Sequence, residues 1–381
     1  MTPKERLLTA MRHGVPDRVP VTPDTSNMIP CRLTGKPFWD IYLYQNPPIW
    51  VAYIDAVKHF GYDGFHDHQI WVTFPNEIPA VPDPNPWYQG IVEKNDRRLI
   101  TRAYRYAEGG GMEWARECTV YPAYDPPTSG VALWKVGQLD VPDRWEPVEG
   151  VRYWPTDESL FEIAYEMMGD RGVVGCCCGT SCVIGNVEGV YQYHDDPESL
   201  REYSRQTIEW ARKRFDNLMS MKIKPDFISC GGSGSLVWQN LDMFRDVSLP
   251  VVQAVTSWCR EAGIPSHIHS CGPEAALVKI CAEETELDVI DPLEVPPMGD
   301  CDLAELKRLY GKRLCLKGNL HTTKTMLHGS YQDVLDASRQ AIEDAREGGG
   351  FILSTGDQCG RDTPDSNIQA MIDAVERYGQ Y

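Results

Sequence analysis

The sequence lacks any long apolar run. Its 381 residues contain no uninterrupted apolar stretch of about 18 residues, the length that a transmembrane helix needs. The opening segment, residues 1–14, is polar and amphipathic and has no apolar core of the kind found in secretory signals. We therefore expect a cytoplasmic protein with no membrane partner.

Positive charge is also scarce. The chain has 37 Lys and Arg against 55 Asp and Glu, a formal net charge of −18, which disfavours nucleic acid as a partner. It has no GxGxxG turn after its first strand and no P-loop, so a nucleotide-binding sheet lacks its signature. The 13 cysteines are odd in number and occur without an export signal, which argues against a disulfide framework. Most of them fit small core positions.

Eight short strand-like segments alternate with helical patterns along the chain. They are centred near residues 19, 66, 174, 228, 267, 290, 315 and 353. This alternation implies parallel pairing, and eight repeats predict an α/β fold closed into a (β/α)8 TIM barrel, with a doubly wound open sheet as the alternative. Residues 75–150 are rich in proline, glycine and period-two runs. We interpret them as a β-hairpin-rich insertion in a single domain of residues 1–381.

In a barrel, functional groups collect where the strands end, on the carboxyl-terminal face. The residues just past the predicted strands are mostly polar or thiol-bearing, and such a concentration indicates a site. Candidate catalytic residues at this rim are Glu294, Asp24 and His66. Candidate substrate-binding residues are His68, Asn27, Asn319 and Asp357. For the two histidines, ordinary polar residues at the barrel mouth are the alternative interpretation.

The most specific pattern is His269-x-Cys271. In an extended segment, residues two apart point to the same side, so both side chains can reach one metal ion. Cys359 follows the last predicted strand at the equivalent end of the barrel. Thiolate and imidazole suit zinc, and three protein ligands leave a position for substrate. We predict a catalytic zinc ion bound by His269, Cys271 and Cys359. By contrast, residues Cys176 to Cys178 fit a packed barrel wall better than a second metal centre.

Several further motifs are similar to those of the uroporphyrinogen decarboxylase superfamily across nearly the whole chain. They are Arg6-Leu-Leu-x-Ala-Met-Arg-x-Gly14, Pro16-Asp-Arg-Val-Pro20, Asp242-Met-Phe-Arg-Asp-x-x-Leu-Pro250, Lys317-Gly-Asn319 and Gly360-x-x-Thr-Pro-x-x-Asn-Ile-x-Ala-Met371. The spacing of His269, Cys271 and Cys359 resembles the zinc motif of one branch, the corrinoid-dependent methyltransferases. This resemblance implies a (β/α)8 barrel and a zinc-dependent methyltransferase. It also implies an acidic zinc ligand in the substrate-free state, for which Glu294 is the candidate.

The resemblance implies that a methyl group moves between a small methylated substrate and the cobalt of a corrinoid (cobalamin). The chain has no Asp-x-His-x-x-Gly corrinoid motif of its own, so a separate corrinoid carrier protein is the expected partner. The many aromatic residues in the first part of the chain favour an aryl methyl ether and O-demethylation, although ordinary packing also explains them. Methylcobalamin:thiol methyl transfer is the first alternative.

A decarboxylase-like lyase is the second alternative. Decarboxylases of the superfamily carry an Arg-Gln-Ala-Gly-Arg-Tyr stretch after the first strand, which binds substrate carboxylates. Here the region reads Asp24-Thr-Ser-Asn-Met-Ile-Pro-Cys-Arg32, with a single arginine. A porphyrinogen with many carboxylates would find few partners there.

Overall fold

The computed structural model describes residues 1–66, 70–77, 83–107 and 109–381. Its strands, in chain order, are β1 (Gly64–His66), β2 (Tyr88–Lys94), β3 (Arg98–Tyr106), β4 (Met112–Pro122), β5 (Thr128–Ala132), β6 (Glu146–Pro147), β7 (Gly172–Cys177), β8 (Phe227–Ser229), β9 (Ser266–His269), β10 (Val289–Asp291), β11 (Cys315–Leu320) and β12 (Phe351–Thr355).

The α-helices, in the same order, are α1 (Pro3–Met11), α2 (Met28–Leu33), α3 (Phe38–Tyr42), α4 (Ile49–Phe60), α5 (Leu133–Val136), α6 (Glu158–Met168), α7 (Val187–Asp195), α8 (Pro197–Ser220), α9 (Ser235–Trp238), α10 (Leu241–Met243), α11 (Leu249–Ala262), α12 (Ala275–Glu284), α13 (Leu303–Tyr310), α14 (Tyr331–Ala345) and α15 (Asp365–Tyr378). Short 3₁₀ turns cover Pro75–Glu77 and Gly169–Arg171, and π-helical turns cover Phe244–Ser248 and Thr322–Leu327. Within the described ranges, no helix combines the length and the apolar character needed to cross a membrane.

The described residues form two compact units. The first comprises Met1–Thr25, Val57–Val72 and Thr156–Tyr381, and the second comprises Ser26–Ala56 and Thr73–Pro155. The interpretation of the whole chain as one domain with an insertion stays a prediction.

The first unit is built on a curled parallel sheet. Its strand order is β1-β7-β8-β9-β10-β11-β12, and every pair of neighbours is parallel. The two edges meet at Val21, which forms a parallel bridge with Leu353 of β12 and accepts a hydrogen bond of 2.9 Å from the amide of Asp63, next to β1. The predicted (β/α)8 architecture is therefore confirmed, with the first of the eight strands reduced to this bridge.

Buried charges hold this short first strand in place. The carboxylate of Asp63 accepts hydrogen bonds from the backbone amide of Val21 at 2.9 Å, from Arg6 at 2.7 Å and from Arg18 at 3.2 Å. Because Asp63 is completely buried, its charge needs these partners. One side chain thus joins α1, the short strand and β1.

One apolar cluster of the first unit lies at the amino-terminal ends of the strands. Leu7, Ala10 and Met11 of α1 pack there against the start of the sheet. The strand residues in this cluster are Phe65, Val173, Phe227, Val289, Cys315 and Ile352. The helix therefore closes one end of the barrel, which leaves the carboxyl-terminal end for polar side chains.

The second unit contains an antiparallel sheet of order β5-β4-β3-β2-β6. The pairs β2–β3 and β3–β4 are hairpins with one β-bulge each. The β-hairpin-rich character predicted for residues 75–150 is therefore confirmed. The structure also assigns residues 26–56 to this unit, where Trp39 packs against Ile91, Leu99 and Ala123.

Candidate functional site

His269 is the last residue of β9 and lies beside Asp291 at the end of β10, its register partner. Its Nδ1 lies 3.0 Å from an oxygen of Asp291. When Nδ1 donates its proton to that carboxylate, Nε2 is the nitrogen left to bind a metal ion. Nε2 lies 3.6 Å from the carboxylate of Asp357. Burial alone would lower the pKa of His269, but the charge and hydrogen bond of Asp291, together with Cys271 and Asp24, hold the pKa well above its ordinary value.

Asp291 is the centre of a buried polar network that the sequence did not predict. It accepts hydrogen bonds from Nε2 of His267, at 3.0 Å, and from the ammonium group of Lys317. Burial opposes its charge, yet Lys317 and the two histidines hold the pKa of Asp291 well below its ordinary value. A single acid in an otherwise apolar strand, next to a strand with two histidines, was the signal that could have revealed it.

A second group of side chains collects beside His269. Cys271, Glu294 and Asp357 each offer one ligand atom, and these atoms lie within 4.8 Å of one another. In the ranges that the structure covers, this is the one group of at least three Cys, His, Asp or Glu residues at such spacing. The sequence prediction named all three residues at the rim, but gave a metal-binding role to Cys271 and only a possible one to Glu294.

Local hydrogen bonds hold these three residues in different ways. The amide of Gly272 donates a hydrogen bond to the carboxylate of Glu294. The hydroxyl oxygen of Ser233 lies 2.7 Å from the sulfur of Cys271. Asp357 adopts a φ of 93°, in a region that L-residues other than glycine rarely occupy, and its carbonyl accepts a 2.7 Å hydrogen bond from the hydroxyl of Thr355. Such strain persists where the surrounding structure enforces it, often at functional sites.

Glu294 has the electrostatic properties of an acid–base group. Burial raises the pKa of its carboxyl above the ordinary value. The hydrogen bond from Gly272 works against this rise, and the nearby charge of Asp357 adds to it. A carboxyl that keeps its proton to higher pH is suited to proton transfer near neutral pH.

The structure does not bring Cys359 into the group of three. Its side chain is completely buried, and its amide donates a 2.8 Å hydrogen bond to the carbonyl of Asp24. The amide of Asp24 in turn donates to the hydroxyl of Thr355, at 3.0 Å. Burial raises the pKa of the Cys359 thiol to about 12, although a hydrogen bond with Thr355 works against the rise. The predicted zinc set of His269, Cys271 and Cys359 stays a prediction.

The structure describes three of the four remaining predicted residues. His66 is buried at the end of β1, and Asn319 is buried in β11 opposite Ser354. Asn27 belongs to the second unit, where its carbonyl accepts a 3.2 Å hydrogen bond from the amide of Cys31. His68 lies outside the described residues.

Two of the three consecutive cysteines at the end of β7 have the surroundings of core residues. Cys176 and Cys178 are completely buried, and burial raises the pKa of Cys176 to about 12. The sulfur of Cys178 lies 3.1 Å from the carbonyl oxygen of Ala211 in α8. These contacts support the interpretation as a packed barrel wall, since a neutral buried thiol is unreactive.

Part of the chain matches a known protein family. Residues 239–378 match the family model "Uroporphyrinogen decarboxylase (URO-D)", and this segment contains His269, Cys271, Glu294 and Asp357. None of the curated proteins matches the sequence of this chain.

Among solved structures, a methyltransferase from Methanosarcina mazei aligns over 99% of this chain and 99% of its own, with a TM-score of 0.57 and 13% sequence identity. At this identity the likeness shows a shared fold. A protein from Sinorhizobium meliloti 1021 aligns over 54% of this chain and 78% of its own, at 18% identity, and its TM-score of 0.28 is too low to indicate the same fold. Residues 239–378 are thus similar to this family, and the barrel is the fold that the chain shares with the methyltransferase from Methanosarcina mazei.

Proposed function

We propose that the chain is a zinc-dependent methyltransferase that moves a methyl group between a small methylated substrate and the cobalt of a corrinoid on a partner protein. The observation that carries this proposal is the orientation of His269. Its Nδ1 is 3.0 Å from the buried carboxylate of Asp291, while Nε2 faces Asp357. Metal-binding histidines typically have this carboxylate partner.

The side chains beside His269 fit a zinc ion. A thiol, an imidazole and carboxylates are the ligand types that zinc accepts in proteins. The sulfur of Cys271 and the carboxylates of Glu294 and Asp357 lie within 4.8 Å of one another, close enough to share one ion. Their spacing in the sequence supports both His269 and Cys271 as ligands. The group within 4.8 Å adds support for Cys271, and the 3.6 Å between Nε2 and Asp357 adds support for His269.

Zinc bound at this site would act as a Lewis acid on an oxygen or sulfur atom of the substrate, and the corrinoid would supply the cobalt chemistry. The side chains around the ion would orient a ligand, transfer protons or bind the substrate. Asp291 would fix the ring of His269. Glu294, once substrate has displaced it from the ion, would take up a proton and give it to the oxygen that is released when a methyl–oxygen bond breaks. Asp24 and His66 remain candidates for further proton transfer. Asn27, His68 and Asn319 remain candidates for substrate binding.

We favour an aryl methyl ether as the substrate and O-demethylation as the reaction. The shared fold with a protein described as a methyltransferase supports the class of reaction. The carboxyl of Glu294 beside Cys271 and Asp357 supports an oxygen leaving group, because such a group needs a proton. Methyl transfer to a thiol is the alternative within this class. The description of the matched family gives a third possibility, a decarboxylating lyase.

Metal content is the first test. We expect about one zinc ion per chain in the purified protein, measured by elemental analysis. Cys271→Ala should remove the metal while the chain stays folded by circular dichroism. Cys177→Ala is the matched control, because Cys177 is also partly exposed, and it should retain zinc. Wild-type protein that neither contains nor binds zinc would contradict the proposal.

The reaction is the second test. Reduced cobalamin, free or on a carrier protein, is mixed with the chain and a guaiacol-type ether, methanol, a methylamine or a thiol, and its absorbance spectrum is followed. We expect a spectral change with the ether that is lost in Cys271→Ala. A change only on transfer from methylated cobalamin to a thiol would favour the alternative. Porphyrinogen decarboxylation without any cobalt-linked change would refute methyl transfer.

A further inference from the structure

We propose that Glu274 positions Glu294, and that it does so as a neutral buried acid bonded to the backbone of Leu293. The inference rests on the proposed role of Glu294 at the site and leaves the set of zinc ligands unchanged. The side chain of Glu274 is completely buried, so we assign it no contact with substrate. It acts through the loop that carries Glu294.

Two loops of the first unit are joined by hydrogen bonds between backbone amides and carboxyl groups. They are residues 270–274, after β9, and residues 292–302, after β10. The amide of Gly272 donates to the carboxylate of Glu294. The amide of Leu293 donates to Oε2 of Glu274 at 2.8 Å. Each loop thus supplies a carboxyl group that accepts a hydrogen bond from the backbone of the other.

The backbones of the two loops also lie very close together. A Cβ atom at Gly299 would lie 2.4 Å from the carbonyl oxygen of Glu294 and 2.6 Å from that of Gly272, so only glycine fits at this position. The carboxylate of Asp300 accepts a 2.7 Å hydrogen bond from the amide of Glu274. A shift of either loop would therefore move Glu294.

The backbone conformation of Leu293 shows why its bond to Glu274 matters. Its φ is 60°, in the left-handed region that leucine rarely adopts. Such a conformation persists where the surrounding contacts enforce it. The amide of Leu293 makes its contact with Glu274, and the next residue along the chain is Glu294. We therefore assign to Glu274 the backbone conformation that places Glu294 beside the amide of Gly272.

The surroundings of Glu274 favour a neutral carboxyl. In the part of the chain that the structure describes, no residue forms a hydrogen bond with its second oxygen, Oε1. An ionised carboxylate here would lack the partners that a buried charge requires. Burial raises the pKa of Glu274 well above its ordinary value. The bond from Leu293 and the charge of His269 oppose the rise, whereas Asp291 and Cys271 add to it. A neutral carboxyl can still accept the bond from Leu293 through its carbonyl oxygen.

Two substitutions of similar size test the positioning role. Glutamine keeps an acceptor for the amide of Leu293 and carries no charge, so Glu274→Gln should bind zinc as the wild type does. Leucine has no acceptor, so Glu274→Leu should weaken zinc binding by about tenfold or more, measured by competition with a chromophoric chelator. Glu283→Leu, at an exposed position of α12, is the matched control and should bind zinc normally. Normal affinity in Glu274→Leu, or equal losses in both Glu274 variants, would refute the positioning role.

Infrared spectroscopy tests the charge of Glu274 on metal-free protein. The carbonyl stretching band of a neutral carboxyl lies at higher frequency than the bands of ionised carboxylates. We expect such a band in the wild type at neutral pH and its loss in Glu274→Gln. Identical spectra in this region would mean that Glu274 is ionised, and would overturn the inference even where Glu274→Leu fails to fold.

A crystal structure of metal-free Glu274→Leu separates this inference from the proposed function. Leu293 should leave its positive φ, and the hydrogen bond between Gly272 and Glu294 should be lost. An unchanged loop would refute the positioning role. If the wild type binds no zinc, the proposed function fails, whereas the infrared spectra and the crystal structure still decide the role of Glu274.

Discussion

At the scale of single residues, the candidate site depends on one buried carboxylate, that of Asp291. Asp291 is 2% exposed and lies between His267, His269 and Lys317. It sets the direction of the His269 ring, and Lys317 compensates its charge. Zinc affinity should therefore respond to Asp291 although it is not itself a ligand.

We predict that Asp291→Asn weakens zinc binding by about 10- to 100-fold, because the neutral amide is a poorer acceptor for Nδ1–H of His269. The dissociation constant is measured by chelator competition on protein whose fold is checked by circular dichroism. Asp302→Asn is the control, since Asp302 caps α13 and asparagine caps equally well. Unchanged affinity in Asp291→Asn would mean that the hydrogen bond does not orient a metal ligand.

The sequence indicated part of this site and missed part of it. His269 and Cys271 could be predicted because a spacing of two residues fixes a shared side in a strand. Asp291 stood out only as a single acid in an apolar strand, because its contact with His269 depends on the register between β9 and β10. The proximity of Asp357 to Cys271 depends on a loop with a positive φ at a residue other than glycine, which no local pattern indicates.

At the scale of elements, the least regular barrel strand, at Val21, is held in place by a buried carboxylate. Val21 contributes a single bridge to the sheet, and the buried carboxylate of Asp63 holds its amide. The seven strands of the parallel sheet could be predicted from their alternation with helices. The start of α8 could also be predicted, because Asp196 caps the helix before Pro197. The assignment of residues 26–56 to the second unit could not be predicted, because helical periodicity does not identify the sheet that a helix packs on.

We predict that Asp63→Asn lowers the free energy of unfolding by about 3–5 kcal/mol, since it leaves Arg6 and Arg18 without their shared buried partner. Urea denaturation measures this change. Glu343→Gln is the control, because its pair with Arg339 is 50% exposed on both sides and should contribute less than about 1 kcal/mol. Similar losses in both variants would show that Asp63 has no special role in holding the short strand.

Acid should weaken the same region through Asp17. The hydrogen bond from Arg6 holds the pKa of Asp17 well below its ordinary value. Because the folded-state pKa is depressed, the stabilisation is present above the unfolded value of about 3.9 and is lost as the pH falls below it. We predict that the free energy of unfolding falls less steeply below about pH 4 in Asp17→Asn than in the wild type. Parallel pH profiles would rule out this coupling.

At the scale of the whole molecule, the apolar core and the candidate site occupy opposite ends of the strands. Leu7 and Met11 close the amino-terminal end, whereas His269 and Cys271 lie at or beyond the end of β9. The fold should therefore survive loss of the metal, unlike small zinc domains, in which the metal supplies the folding energy.

We predict that zinc raises the thermal midpoint and that a chelator lowers it without unfolding the chain at room temperature. Free zinc at 100 times its dissociation constant should stabilise the folded state by about 2.7 kcal/mol. Thermal denaturation followed by circular dichroism measures the shift, and Cys271→Ala should show none. Unfolding by the chelator at room temperature would mean that the metal is structural.

Hydrogen bonds at the closed end of the barrel bring the first and last parts of the sequence together. The amino group of Met1 bonds to Asp17 at 3.0 Å, and the next residue, Arg18, forms an antiparallel bridge with Gln380. The first and last parts of the sequence are thus neighbours in space. A short linker could join them, and new ends could be opened in the exposed turn at Gly110. Such a circular permutant should keep the barrel. Its new ends would be distant in sequence from every proposed zinc ligand.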